Sequence, residues 1–182
     1  EYLKKKSLEG SMELIKNDDS TWTLSKVSEL EHLMLSRLPD SADPTGCEEA
    51  SDRLYPSPIA PDAEVDDDKS FTLENDWKEF IEPELRSDFR DSLKVVADDL
   101  GKSSMTKEGE LNQYEFIIPT AHANHWCSAL NQARIVIHHR YDLPSEDGLL
   151  DMDPNPEKWM ATLQSEIYGM LMEFLIKKVL WI

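Results

Sequence analysis

Basic residues are scarce in this chain. Nineteen lysines and arginines stand against 37 aspartates and glutamates over 182 residues, a formal net charge of −18. A field of that sign repels phosphate backbones and gains nothing from counterion release, so nucleic acid is not an expected partner. Cysteine is nearly absent, and Cys47 and Cys127 make no disulfide framework. Long apolar runs are missing too. The most apolar stretch, Tyr168 to Ile182, is interrupted by Glu173, Lys177 and Lys178, so no membrane span is expected. Nothing reads as a signal peptide, and a cytoplasmic, bacterial-type protein is the simplest expectation. No cofactor fingerprint or catalytic motif is visible, so no cofactor is expected.

What remains is a chain able to fold by itself. Its 40% apolar content suffices for a core without a metal or disulfide staple. The length suits one domain, expected over 12–182, because Met12 reads as a natural start. Residues 1–11 are set aside as an expected artificial extension ahead of that start.

The stretch from Thr120 to Tyr141 organises the rest. Thr120 is a good N-cap after Pro119, and Ala123, Trp126, Leu130, Ala133 and Ile137 share one helical stripe. Beside it runs a polar stripe of Cys127, Asn131, Arg134 and His138. Asn131, Arg134 and His138 are the candidate binding or structural residues. An arginine there must be paired or reach water, because an unpaired buried charge is too costly.

Earlier in the chain, Met12–Lys16 and Thr21–Leu24 flank Asn17-Asp18-Asp19-Ser20 and read as a β-hairpin. A helix is expected from a Ser25 cap to about Leu38, with Ser28 and Glu31 as an alternative capping box and Pro39 as its stop. Residues 40–76 hold twelve acidic residues against Arg53 and Lys69, with four prolines, and are expected to form an acidic loop-like insertion. Helices follow at Trp77–Ile81 and Pro83–Leu100, the second burying Leu85, Phe89, Leu93, Val96 and Leu100. Lys102–Gly109 reads as a connection and Tyr114–Ile118 as a strand. A last helix, opened by Asn155-Pro156, presents Trp159, Leu163, Ile167, Met170 and Phe174 to the core. Its apolar surface spreads further around, which marks it as a candidate homodimer surface. The expected fold is therefore α+β and predominantly helical. A small antiparallel sheet, the hairpin plus one later strand, packs on a helical bundle.

The run W-x-x-A-L-N-x-x-R, here Trp126, Ala129, Leu130, Asn131 and Arg134, resembles a bacterial domain family of unknown function. The Leu54-Tyr55-Pro56 segment and the aromatic last helix around Tyr168 are similar to that family as well. Such genes often lie beside the adaptor of the Clp protease in actinobacteria. The resemblance implies a helical fold and a regulatory role, without implying an activity.

Catalytic chemistry has little to build on. His122 and His125, at i and i+3, are weak metal candidates with no third or fourth ligand in view. Cys127 and His138 lie about 16 Å apart along a helix, too far for proton transfer. Cys47, in the acidic stretch, is expected on the surface with its reactivity dulled by Glu48 and Glu49. The functional expectation is an acidic, non-enzymatic protein that binds another protein, one with a basic surface, in stress response or regulated proteolysis. The alternative is a hydrolase or metal-dependent enzyme whose site is assembled from distant residues.

Overall fold

A computed structural model describes residues 12–59, 66–108, 111–144 and 155–181. The sheet has four antiparallel strands in the order β1-β2-β4-β3: β1 Glu13–Lys16, β2 Thr21–Ser28, β3 Ser104–Glu108 and β4 Leu111–Pro119. The hairpin and the later strand pair as expected. Trp22 lies opposite Ile118 and Leu24 opposite Phe116, so one sheet face buries Leu14, Leu24, Phe116 and Ile118. The stretch read as a connection adds β3 at the far edge, with Met105 opposite Tyr114. Its polar, exposed residues gave no alternation to read, and pairing with β4 supplies the order.

Helices cover the buried face: α1 Glu29–Ser36, α2 Leu38–Ser41, α3 Glu48–Leu54, α4 Asp67–Asp76, α5 Glu82–Leu100, α6 Ala123–Arg140 and α7 Pro156–Leu175. At the start of α1 the alternative cap is the one used. The Ser28 hydroxyl accepts from the Glu31 N–H, while Glu31 accepts from the Ser28 N–H at 2.8 Å. Ser25 instead belongs to β2, because a bulge between Leu24 and Val27 lets the strand run on to Ser28. Lys26, in the bulge, takes φ +56°. Pro39 does not stop a helix here; it sits in the first turn of α2, where its missing N–H costs nothing.

Thr120 is not a helix cap either. Its N–H donates to the Ser20 carbonyl at 2.7 Å, and a single tight turn, Thr120–His122, precedes α6. That bond ties the helix entry to the hairpin loop. The core forecast for α6 holds: Ala123, Trp126, Leu130 and Ala133 are wholly buried and Ile137 nearly so.

The last helix is rotated from its expected setting. Ile167 is buried and Leu163, Met170 and Phe174 pack partly buried against the core as expected, but Tyr168, Leu171 and Leu175 take the deepest positions and Trp159 is 44% exposed. The Tyr168 hydroxyl accounts for the shift, since it donates to the Met34 carbonyl of α1 at 2.6 Å and draws the ring into the core. Burial pushes its pKa up to about 12.

The described residues within 40–76, namely 40–59 and 66–76, are more ordered than their composition indicates. They contain α3, which packs Ala50 and Leu54 against Val136 of α6, and Arg140 donates to the Asp43 carbonyl at 2.6 Å. Cys47 is buried in that cluster, contrary to the surface position expected for it. An apolar pair one turn apart outweighs the local charge.

From Asp67 to Leu100 the chain is one long helix, about 50 Å at 1.5 Å per residue. The two helices expected at Trp77–Ile81 and Pro83–Leu100 are continuous, and the chain stays helical through Pro83. The proline instead leaves its mark upstream, where Trp77–Ile81 widens to i→i+5 spacing. That widening accommodates a ring that would otherwise strike the carbonyl one turn earlier.

Candidate functional site

Polar groups concentrate where α5 and α7 flank α6. On the α5 side, Ser92, Val96 and Asp99 recur at i, i+4 and i+7 and are all buried. Asp99, 1% exposed, accepts a hydrogen bond from the Trp126 indole N–H at 3.0 Å and lies 2.8 Å from Nδ1 of His122. Lys102 adds a cation 3.7 Å from its other oxygen. A carboxylate in a helix's last turn meets the negative end of the dipole, so these partners offset an unfavourable position. One turn on, Nδ1 of His125 lies 3.1 Å from the Ser92 hydroxyl. The two candidate histidines therefore each address a different residue of α5, with ring centroids 6.4 Å apart. Among the described residues, no group of three His, Cys, Asp or Glu side chains is placed to hold a metal.

On the α7 side, Arg134 and His138 come together and Asn131 does not. Asn131 is exposed and does not line the cleft that the other two share. His138 Nε2 is 3.0 Å from the Ser165 hydroxyl. Arg134 lies flat over Gly169, where a Cβ would come within 3.3 Å of its guanidinium carbon. Glycine is what permits this close crossing. Arg134 and His138 line a cleft of about 420 Å³ with Ser165, Glu166 and Met170.

Sequence reasoning missed Asp99. Its signal is a carboxylate at i+3 from Val96, on the edge of the apolar stripe, where a charged residue reads as solvated until its partners on α6 are known. Reactive thiols are absent from both clusters. Burial raises the Cys127 thiol to about 11, which withholds the thiolate at neutral pH.

A third feature is apolar. The helix 67–81 projects from the body, and every described side chain of α4 is exposed except half-buried Ser70. Phe71 is 70% exposed, Leu73 47%, Phe80 60% and Ile81 46%. Residues 66–84 surround them with eight acids against Lys69 and Lys78.

Fold and site together define an acidic, mostly helical α+β domain whose polar groups tie its helices together. The chain belongs to the DUF2017 family, described as a domain of unknown function, whose model matches residues 7–178. No curated protein and no solved structure matched the chain. Among the described residues, no helix is long and apolar enough to cross a membrane.

Proposed function

We propose that this chain works by binding another protein, through the projecting helix 67–81. The observation that carries the reading is the exposure of Phe71, Leu73, Phe80 and Ile81 on an element with little cover of its own. Leu73 and Phe80 lie on one stripe of the helix and Phe71 on another, and exposed apolar side chains set among charges are what a protein interface presents before its partner arrives. The histidines point the same way. His122, His125 and His138 each make a hydrogen bond to a neighbouring helix, which suits a scaffold better than a hydrolase. The family resemblance supports a regulatory role, and the setting we propose for it is regulated proteolysis or stress response in the cytoplasm.

The test compares affinity capture from native lysate by the wild-type chain and by Phe71→Ser/Phe80→Ser. Both side chains are exposed, so the variant keeps its fold. A partner held by the wild type and lost by the variant supports the reading. Capture of the same proteins in the same amounts by both chains overturns it.

A further inference from the structure

The projecting helix meets the body over a cleft of about 200 Å³, with Tyr55 and Pro58 on one wall and Glu74, Trp77 and Lys78 on the other. Arg86 closes the inner end. Its guanidinium lies 3.8 Å over the Tyr55 ring and 2.7 Å from Glu82, so the Arg86 and Glu82 charges are satisfied within the protein. Asp52 also lines the cleft. Neither Asp52 nor Glu74 makes a side-chain hydrogen bond or ion pair among the described residues, and both are exposed. These two carboxylates outnumber Lys78, the one remaining cation of the lining.

We infer that this cleft anchors a lysine or arginine from a basic amphipathic segment of the partner. The aliphatic stem lies along Trp77 and Pro58, and the charged head meets Asp52 and Glu74. The apolar side of the same segment covers Leu73 and Phe80, which share one stripe of the helix with Trp77 at i, i+4 and i+7. Charge decides what the occupant is. Residues 66–84 carry eight acids against two lysines on a chain of net charge −18, so a second copy of this chain meets repulsion where a basic segment meets attraction. The inference rests on the reading of the chain as a protein-binding module and names the chemistry of its partner.

The probe is a labelled peptide of lysine and leucine spaced as an amphipathic helix, with a scrambled peptide of the same composition as control. Each is titrated onto the full chain. The ordered peptide is expected to bind at least about tenfold tighter than the scrambled one, and Asp52→Asn/Glu74→Gln to lose about tenfold, roughly one charged contact's worth. Equal affinity for the two peptides overturns the inference, because attraction to an acidic surface then explains both. Unchanged affinity in Asp52→Asn/Glu74→Gln overturns it as well. Lysate capture separates the two levels. A natural partner lost by Phe71→Ser/Phe80→Ser but kept by Asp52→Asn/Glu74→Gln leaves the module reading standing and removes the anchor.

Discussion

The indole N–H of Trp126 donates to Oδ2 of Asp99 at 3.0 Å, joining the most buried ring of α6 to the most buried carboxylate of α5. Removing the acceptor strands a buried donor, which costs about 1–3 kcal/mol before any loss at His122. Asp99→Ala is therefore expected to lower stability by about 3 kcal/mol, and Asp99→Asn, which keeps an acceptor, by less. Urea midpoints check both. A change under about 0.5 kcal/mol for Asp99→Ala would mean that the pair is incidental.

Gly169 and Arg134 are expected to be coupled. A side chain at 169 must displace the guanidinium, because even its Cβ would sit 3.3 Å from the guanidinium carbon. Gly169→Leu should cost about 1–3 kcal/mol by overpacking, although it gains about 1 kcal/mol of helix propensity. In an Arg134→Ala background that cost should largely disappear. Simple additivity in the double-mutant cycle, within about 0.5 kcal/mol, would show that the crossing carries no constraint.

His32 stacks on Tyr114 with ring centroids 3.8 Å apart, and burial lowers its pKa below the ordinary 6.5, against a weaker opposing pull from Glu29. The unfolded chain therefore takes up the proton first. Stability from neutral His32 is present above about pH 6.5 and falls as the pH drops toward the folded value. His32→Phe keeps the stack and removes the titration. Between about pH 7.5 and pH 5 the wild type should lose more stability than the variant, and parallel losses in thermal midpoints would contradict this.

The periodic elements were legible because burial imposes a period. Ala123 to Ile137 on α6, and the Trp22 and Leu24 side of β2, repeat at 3.6 and 2 residues with nothing to disturb them. Misreadings arose where tertiary pairing overrode a local signal. Ser25 looked like a cap until a bulge carried β2 three residues further, and Thr120 gave its hydrogen bond to the hairpin loop instead of a helix end. Residues 47–54 looked loop-like from charge alone, because the apolar contacts of Cys47, Ala50 and Leu54 reach to Val136. The candidate site was half visible. Arg134 and His138 were found from their helical register, whereas Asp99 takes its meaning from Trp126 and His122, residues 27 and 23 positions away.

The central claim, that helix 67–81 is the surface that meets another protein, is tested most directly by amide hydrogen exchange on the free chain and on the captured complex. In the free chain, exposure of α4 predicts fast exchange across 67–81. Binding there predicts slowing across 67–81, with smaller changes along α6, whose amides are already protected. Unchanged exchange across 67–81 in a complex whose protection falls elsewhere would contradict the account.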